Sequence, residues 1–299
     1  MKIGVMGCMG VVGQAVVKVF IKAHEIYGFD PVLLPIGGAV DPRWMSLPIS
    51  HRDTYADWVE VDESSAMTCQ AIFICAPTPW DDQKKEFGAG PVEKCVQRLC
   101  EAGFSGLIIL KSTTLPCVAH ALLYKIWNWT GEAGWETASK PRLVACPEFL
   151  NARTAYEDLR DARHIIIGGP KEDRDLCLEI HKQAQPGIQG YFLDLAAEAM
   201  MLKYMQNTYF ATKNALFNQF AQVCKSLGLD YQAIRSGIVL DDRVHPVHTD
   251  VPGYDGMPGY GGMCLPKDIR AFQTMVGKEF EDLSIFELVD RYNTKLREG

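Results

Sequence analysis

The order of apolar segments along the chain is the feature that most limits its fold. Up to about residue 193, apolar runs of strand length, such as 71–76 and 106–110, alternate with stretches that have helical spacing. Strands that alternate with helices indicate a parallel sheet with helices on both faces and right-handed crossovers. The first 193 residues are therefore predicted to form a Rossmann-like, doubly wound parallel α/β domain.

The pattern changes at residue 194. Between Asp194 and Leu227 there is no strong helix breaker, and apolar residues recur at steps of three and four until Gly228. This spacing predicts one long amphipathic helix. Further helices are predicted downstream, at 231–238, 265–276 and 281–297. The chain is thus divided into an α/β domain, 1–193, and an all-helical domain, 194–299, built on a long central helix.

Composition limits the classes of partner. Apolar residues make up 47% of the 299 residues and charged residues 22%, which is typical of a globular protein. A net charge of −7 leaves no basic excess to neutralise a nucleic-acid backbone. The longest clean apolar runs are far shorter than a membrane span. We therefore expect neither a nucleic-acid partner nor a membrane partner.

The ten cysteines predict a reducing environment. No two of them form a CxxC pair, and none lies near histidine at the spacing of metal ligands. Most lie within apolar runs, as Cys75 does, which is typical of buried reduced thiols. The interpretation is a cytoplasmic protein without a metal site.

A glycine-rich turn lies near the amino terminus. Residues 2–6 predict a buried strand, which is followed by Gly7, Gly10 and Gly13 and then by a helical pattern to about Ala23. In this context glycines allow the backbone to approach a pyrophosphate at the helix N-terminus. Glycines at this spacing also serve simply to pack a helix against a strand. Compared with the usual G-x-G-x-x-G there is one more residue between the first and second glycines, which would alter the geometry of a bound NAD.

A second strand is predicted at 31–40, ending at Asp41. A carboxylate at this point can bind the adenosine ribose hydroxyls and favours NAD over NADP. An ordinary turn before Pro42 explains Asp41 almost equally well.

Lys203 and Asn207 are four positions apart on the long helix and therefore share one face. Such a pair can donate hydrogen bonds to a hydroxyl that is becoming an alkoxide. Considered by itself, the K-x-x-x-N spacing is better explained as two solvated residues, but both flank the apolar stripe, as expected at the edge of a cleft.

The segment 259–268, GYGGMCLPKD, is more specific. Its glycines are expected to clear space around Cys264, which lies where a helix begins, so that the helix N-terminus lowers the pKa of the thiol. Lys267 adds to this effect, and Asp268 lies one turn beyond the thiol. A thiolate near a carboxylate is suited to covalent catalysis. A purely structural Cys264 would leave the glycines and the charged pair unexplained.

These segments together resemble the UDP-glucose/GDP-mannose dehydrogenase family. The resemblance extends over roughly residues 1–293, and its motifs occur in family order: the glycine turn at 3–13, APTP at 76–79, KSTT at 111–114, CPEFL at 146–150, the long helix at 198–224, DDRV at 241–244 and GYGGMCLPKD at 259–268.

The resemblance implies an NAD-dependent, four-electron oxidation of a sugar nucleotide, a UDP-sugar by preference, at its C6 alcohol. The alcohol becomes an aldehyde, the aldehyde a thiohemiacetal on Cys264, and a second oxidation gives a thioester that water hydrolyses to the uronic acid. Two NAD are reduced for each substrate.

The resemblance also implies roles for individual residues. Cys264 is the nucleophile, Lys203 and Asn207 stabilise the oxyanion, and the groups that position or activate water are Asp268, Thr113 and Glu148. The residues expected to bind NAD are Gly7, Gly10, Val11, Val12, Gly13, Asp41, Pro77, Thr78, Thr113 and Lys267. The residues expected to bind the sugar nucleotide are Phe149, Leu150, Lys203, Asn207, Tyr260, Gly261, Gly262 and, across a dimer, Arg243.

The chain departs from the family pattern at Ala152, where a second glutamate is usual. It also ends at Gly299, before the second α/β domain that holds the nucleotide in relatives, so a separate chain could supply that domain. Two alternatives stay open: a two-electron 3-hydroxyacid dehydrogenase, which uses a helix lysine and asparagine at the same spacing, and an NAD-binding protein with impaired catalysis.

The long helix has more apolar surface than one small domain covers, and in the family it forms the core of a dimer. A homodimer through residues of about 195–225 is therefore expected.

Overall fold

The structure is a computed structural model that describes residues 1–30, 66–132, 142–276 and 284–298. The chain forms two compact units. The first comprises Met1–Thr78 and Gly88–Lys203, and the second comprises Pro79–Phe87 and Tyr204–Gly299. Each unit is described by itself.

The strands and helices are numbered in chain order over the described ranges. The strands are β1 (Lys2–Met6), β2 (Glu25–Phe29), β3 (Ala71–Ile74), β4 (Trp80–Asp81), β5 (Glu86–Phe87), β6 (Leu107–Leu110), β7 (Arg142–Ala145), β8 (His164–Gly168) and β9 (Gln189–Leu193). The helices are α1 (Val11–Phe20), α2 (Gly90–Glu101), α3 (Pro116–Glu132), α4 (Ala155–Arg160), α5 (Lys171–Ala184), α6 (Ala196–Leu227), α7 (Tyr231–Ile238), α8 (Leu265–Val276) and α9 (Ile285–Glu298).

The first unit is built on a seven-stranded sheet with the order β2-β1-β3-β6-β7-β8-β9. Both β3 and β6 are buried along their whole length, which is why their sequences are continuous apolar runs rather than alternating ones. One face of the sheet is covered by α1, α4 and α5, and the other by α2, α3 and the first turns of α6. This arrangement confirms the predicted Rossmann-like α/β class.

The sheet differs from the prediction in one pairing. Neighbouring strands are parallel except β7 and β8, which pair antiparallel through Ala145 and Gly168. The connection between these two strands contains only the short helix α4. The chain does not cross back over the sheet, and β8 therefore begins on the side where β7 ends. The sheet is therefore mixed rather than wholly parallel.

The strand that follows α1, at Glu25–Phe29, was not predicted, and the predicted strand at 31–40 falls outside the described residues. The hairpin of β4 and β5 was not predicted, because two-residue strands carry too little periodicity to be recognised.

The second unit contains the remainder of the long helix and the predicted helices α7, α8 and α9. Asp230 caps α7, since its Oδ1 accepts hydrogen bonds from the N–H groups of Gln232, at 2.8 Å, and Ala233, at 3.2 Å. Between α7 and α8 the chain forms a glycine-rich loop. A small apolar cluster of Ala211, Tyr260 and Ile269 joins α6, this loop and α8.

The long helix does not begin at a boundary between units, as a division at 193/194 would require. Its first turns belong to the sheet, because Ala196, Ala199 and Met200 are buried in the cluster on one sheet face. A Cβ on Gly168 would lie 2.8 Å from the Cβ of Ala199, so small residues allow this helix to approach β8 closely. The division between the units therefore falls within α6, after Lys203.

None of the helices in the described ranges combines the length and the hydrophobicity needed to cross a bilayer.

Candidate active site

The three glycines of the first turn have separate structural tasks. Gly7 has a φ of +81°, and a Cβ there would lie 2.6 Å from the carbonyl oxygen of Cys75. Gly13 lies on α1, where a Cβ would be 2.1 Å from the carbonyl oxygen of Gly7. Gly10 is the N-cap of α1 and closes the turn by donating its N–H to the Gly7 carbonyl at 3.1 Å. The additional residue between the first two glycines is thus accommodated in a closed turn.

The turn leaves the N-terminus of α1 suited to an anion. The N–H groups of the first helical turn, which includes Val11 and Val12, have no acceptors within the helix, and they lie at the positive end of its dipole. Backbone N–H groups of this kind bind the pyrophosphate of a dinucleotide.

Asp30 is a candidate cofactor residue that the sequence interpretation missed. It directly follows β2, is 9% exposed, and accepts a hydrogen bond at 3.0 Å from the N–H of Met9 in the glycine turn. Its position, 20 residues after Gly10, matches the spacing of about 20 residues for the acidic residue that binds the ribose hydroxyls. The signal was the run EIYGF at 25–29, which is strand-like but is separated from α1 by only four residues. Asp41, the residue proposed for this role, lies outside the described residues.

The loops after β3 and β6 lie at the same edge of the sheet as the glycine turn, because β1, β3 and β6 are parallel. Thr78 and Thr113 are each 8% exposed in these loops, whereas Pro77 is exposed. Ser112 Oγ connects the two loops by donating to the carbonyl oxygen of Ala76 at 2.6 Å. The glycine turn, Thr78 and Thr113 thus lie at the carboxyl ends of neighbouring parallel strands, which is where doubly wound folds bind ligands.

Lys111, the first residue of the KSTT motif, is buried. It is 1% exposed, and its Nζ donates to Cys146 Sγ at 3.3 Å. A hydrogen bond from Cys177 and the nearby ammonium of Lys111 lower the pKa of the Cys146 thiol. The pair keeps a buried ammonium next to a group that can carry negative charge.

Glu148 and Lys203 form a buried ion pair in the first unit. Their Oε1 and Nζ atoms are 3.4 Å apart, and the two side chains are 9% and 4% exposed. Glu148 Oε2 also accepts the N–H of Leu150 at 2.7 Å, and Lys203 Nζ lies 5.1 Å from the centre of the Phe149 ring. Burial excludes the interpretation of Lys203 as a solvated surface lysine. Ala152, at the position where the family resemblance would place a second glutamate, is exposed.

Asn207 and Asp268 form a buried pair in the second unit. Asn207 Nδ2 donates to Asp268 Oδ2 at 2.5 Å, and the residues are 6% and 1% exposed. Lys267 Nζ makes an ion pair with the other oxygen of Asp268 and lies 5.6 Å from the centre of the Phe87 ring. The carboxylate of Asp268 is therefore held by two donors. One of them is Lys267, the residue predicted to contact the cofactor.

Cys264 is an exposed thiol at the start of α8. Its carbonyl oxygen accepts the N–H of Asp268 at 2.9 Å, which places the two residues one helical turn apart as predicted. The glycines before Cys264 were expected to clear space around the thiol, but Gly259 and Gly261 instead leave space for the side chains of Asn293 and Arg297. A Cβ on Gly261 would lie 1.5 Å from an Nη atom of Arg297, so the absence of a side chain there makes room for α9.

Two residues proposed to contact the substrate have contrasting positions. The Tyr260 side chain is 3% exposed and belongs to the apolar cluster of the second unit, and burial raises the pKa of its hydroxyl. Arg243 is on the surface, with a side chain 89% exposed that forms an ion pair with Asp241 at 2.5 Å. Gly262 is exposed, has a φ of +78° and precedes the thiol by two residues.

The cysteines and the possible metal ligands were compared over the described residues. All ten cysteines lie in the described ranges, and none of them is in a disulfide. Over those ranges, no group of three or more histidine, cysteine, aspartate or glutamate side chains is arranged to hold a metal ion.

Two family models match the chain, and together they match more than half of it. The model described as UDP-glucose/GDP-mannose dehydrogenase family, NAD binding domain, matches residues 42–185. The model for the central domain of the same family matches residues 197–295. The second match includes Lys203, Asn207, Cys264 and Asp268, and the first includes Glu148.

Among known proteins, the chain is 32% identical over 227 residues to a UDP-glucose 6-dehydrogenase of Rickettsia bellii, covering 75% of this chain and 49% of the relative. The chain spans about half the length of the curated relatives it matches.

The fold is similar to that of a UDP-D-ManNAc dehydrogenase from Pyrococcus horikoshii, with a TM-score of 0.78, 21% identity and coverage of 99% of this chain and 69% of the other. It is also similar to that of a 3-hydroxyisobutyrate dehydrogenase of Mycobacterium tuberculosis, with a TM-score of 0.69, 16% identity and coverage of 98% and 92%. At these identities the two solved structures show the fold alone.

Proposed function

The chain belongs to the UDP-glucose/GDP-mannose dehydrogenase family, and from this premise we propose that it oxidises the C6 alcohol of a sugar nucleotide, preferably a UDP-sugar, to a uronic acid with NAD. The observation that carries the proposal is the exposed thiol of Cys264 one turn before the buried carboxylate of Asp268, which Asn207 and Lys267 hold in place. A two-electron dehydrogenase needs no such thiol.

The residues of the first unit fit NAD. The turn from Gly7 to Gly13 leaves the N–H groups of α1 open to a pyrophosphate, and the buried carboxylate of Asp30 beside it can accept hydrogen bonds from ribose hydroxyls. A carboxylate in that position would repel the 2′-phosphate of NADP. NAD would serve as the hydride acceptor of both oxidations.

In the first oxidation, Lys203 and Asn207 would hold the substrate hydroxyl and stabilise the alkoxide as its proton leaves. Their burial supports this role, because a hydrogen bond to a developing charge is worth more where water is excluded. Asn207 has a second N–H available for this purpose beyond the one bonded to Asp268. Loss of one proton and one hydride converts the alcohol to an aldehyde.

In the second oxidation, the Cys264 sulfur would add to the aldehyde carbon and form a thiohemiacetal, whose loss of a hydride gives a thioester. Water then attacks the thioester carbon and the C–S bond breaks, which returns the thiol and releases the carboxylate. Glu148, Asp268 and Thr113 would position the water and accept its proton. One alcohol and one water thus yield one carboxylate, two hydrides and three protons.

Sugar recognition would involve Phe149, Leu150 and the backbone around Gly261, since the Tyr260 ring itself is buried. The exposed Arg243 would meet a phosphate of the nucleotide bound to a partner subunit, as the family resemblance suggests. Arg243→Ala should then raise KM for the sugar nucleotide and leave kcat nearly unchanged, because a distant phosphate contact contributes equally to ground and transition states.

The test is a panel of UDP- and GDP-sugars incubated with the full chain and NAD, with NADH and uronic acid both quantified. We expect two NADH for each substrate consumed. Cys264→Ser should stop after one NADH, with aldehyde accumulating. Wild-type protein that forms one NADH and no acid would instead support the 3-hydroxyacid dehydrogenase alternative. Absence of any turnover would support an NAD-binding protein with impaired catalysis, since Ala152 stands where the family usually has a glutamate.

We also propose a homodimer formed through α6. Apolar side chains that are between 45% and 65% exposed follow one another along this helix at steps of three, four and seven, namely Met205, Tyr209, Leu216, Phe220, Val223 and Leu227. Burial of this stripe against a second copy would remove a continuous apolar surface from water. Sedimentation velocity at micromolar concentration should show a dimer, and Phe220→Glu should shift it to the monomer, whereas Lys225→Glu in the same helix should not.

The cytoplasm is the compartment that we propose. Ten cysteines outside disulfides support a reducing environment, and alkylation under non-reducing conditions of protein taken directly from cells should find all of them as thiols.

A further inference from the structure

The segment between Gly259 and Cys264 is held by other elements at both ends. At its carboxyl end it enters α8, where the Cys264 carbonyl accepts the first helical hydrogen bond. At its amino end the N–H of Gly259 donates to Asn218 Oδ1 at 2.8 Å. The Asn218 amide is fixed in turn, because its Nδ2 donates to the carbonyl and side-chain oxygens of Asn214 at 2.9 and 3.0 Å.

The most complete contact to this segment comes from Asn293 on α9. Its Oδ1 accepts the N–H of Tyr260 at 2.7 Å, and its Nδ2 donates to the carbonyl oxygen of the same residue at 3.1 Å. One amide therefore satisfies both main-chain groups of Tyr260, in a site where Asn293 is only 5% exposed. Arg297 Nε, one turn further along α9, also donates to the Tyr260 carbonyl at 3.2 Å.

The glycine before Tyr260 is explained by the same amide. A Cβ on Gly259 would lie 2.4 Å from Asn293 Oδ1, and the φ of +79° there is one that other residues rarely adopt. The glycine and the asparagine are thus complementary, since the first leaves the space that the second occupies.

We propose that Asn293 is a positioning residue for Cys264, an inference that rests on the proposed function. Between the Tyr260 backbone and the thiol lie only Gly261, Gly262 and Met263, of which the two glycines have wide conformational freedom. Anchoring Tyr260 at one end and α8 at the other limits the positions that the thiol adopts. Asn293 touches neither substrate nor cofactor in this proposal and acts through the backbone of the loop.

Loss of this positioning should affect the two oxidation steps differently. The first oxidation needs no thiol, whereas capture of the aldehyde requires the sulfur within bonding reach of its carbon. A displacement of about 1 Å can cost about 100-fold in rate. Loss of the Asn293 amide should therefore slow the thiol-dependent half of the reaction and spare the first half.

The experiment compares Asn293→Ala and Asn293→Asp with the wild type, and uses Lys295→Ala, an exposed neighbour on the same helix, as the matched control. NADH, uronic acid and trapped aldehyde are counted for each substrate consumed. We expect Asn293→Ala to retain the first oxidation within about threefold, to form acid 10- to 100-fold more slowly and to lower the NADH ratio from two towards one. Lys295→Ala should match the wild type.

Asn293→Asp supplies a second signature that a general loss of stability would not produce. A protonated aspartic acid keeps both hydrogen bonds to Tyr260, whereas the carboxylate loses the donor and places its charge against the Tyr260 carbonyl. Acid formation by this variant, relative to wild type at the same pH, should therefore rise as the pH is lowered. This comparison remains informative where Asn293→Ala fails to fold.

Alkylation of Cys264 by iodoacetamide, followed by peptide mass spectrometry, separates this inference from the proposed function because it needs no turnover. We expect the pH profile of the alkylation rate to differ between Asn293→Ala and the wild type and to be unchanged in Lys295→Ala. Equal slowing of both oxidations, or an unchanged NADH ratio together with an unchanged alkylation profile, would overturn the positioning role. Failure of the wild type to oxidise any sugar nucleotide would overturn the proposed function and leave the alkylation result to decide on the loop.

Discussion

Alanine substitution of Gly10 and Gly13 should separate cofactor binding from folding within one turn. The two glycines are three residues apart, and a methyl group at each would meet different surroundings. At Gly13 a Cβ would lie 2.1 Å from the carbonyl oxygen of Gly7 and 2.7 Å from the Cα of Cys8. At Gly10 the nearest atom within 4 Å is the Gly7 carbonyl oxygen at 3.4 Å, which is an ordinary contact.

The distances give the expected magnitudes. The methyl group of Gly13→Ala meets main-chain atoms that have no rotamer to adopt, so α1 must move, and overpacking of this kind costs about 1–3 kcal/mol. Each kcal/mol lowers the Tm of a domain of 150 to 250 residues by about 2–4 °C, which gives a fall of about 2–12 °C. Gly10→Ala changes an N-cap and should cost less than about 1 kcal/mol. Its methyl group lies where a pyrophosphate would approach the turn, so NAD affinity should fall at least about tenfold, or roughly 1.4 kcal/mol.

The assay pairs thermal unfolding, followed by circular dichroism, with titration calorimetry of NAD at a temperature where every variant is folded. Gly90→Ala is the control, because a Cβ at this first residue of α2 meets no atom within 4 Å. It should leave NAD affinity unchanged and Tm unchanged or slightly higher. The reasoning is refuted if Gly13→Ala keeps the wild-type Tm, or if Gly10→Ala binds NAD as tightly as the wild type.

Three further predictions follow from buried charges and thiols. Lys203→Met leaves Glu148 buried without its cation and should lower the free energy of unfolding by about 3–5 kcal/mol in urea titrations. Adding Glu148→Gln should recover part of this loss, and strict additivity of the two changes would contradict the pairing. Burial lowers the pKa of His248 below 6.5, so the unfolded chain binds more protons and the free energy of unfolding should fall as the pH drops below about 6.5. Because His248 has a φ of +64°, which asparagine tolerates, His248→Asn should make that fall shallower, and an unchanged slope would exclude this residue as a source. Burial raises the pKa of the Cys8 thiol to about 12, so native protein at pH 7.5 should be alkylated by iodoacetamide at the exposed Cys264 and not at Cys8, a difference that urea should abolish.

Prediction from the sequence worked best where burial leaves a simple pattern. The runs at 71–74 and 107–110 are apolar throughout because both faces of these strands are covered, and such runs are recognisable in the printed sequence. The long helix was predicted to begin at 194 and observed from Ala196, because a 3.6-residue period over 32 residues is unambiguous.

Prediction failed where the signal was short or the interpretation of one element shifted the next. The strand β2 follows α1 so closely that its residues were assigned to a connection, and Asp30 at its end was therefore not considered. The predicted boundary at 193/194 follows the start of the helix, whereas the compact units divide within it, because a periodic pattern indicates that a helix is amphipathic but not which neighbours cover each turn.

By itself the sequence determined the class of the fold, the family and the residue types that the chemistry requires, because these depend on periodicity and on motifs that are local in the chain. The tertiary structure decided which polar groups are buried and with which partners. Lys203 pairs with Glu148 over 55 positions of sequence, and Asn207 with Asp268 over 61. Asn293 reaches back 33 positions to hold Tyr260, a contact that no motif records. Burial and hydrogen bonding between distant segments depend on how helices and strands meet, and that arrangement exists only in the folded chain.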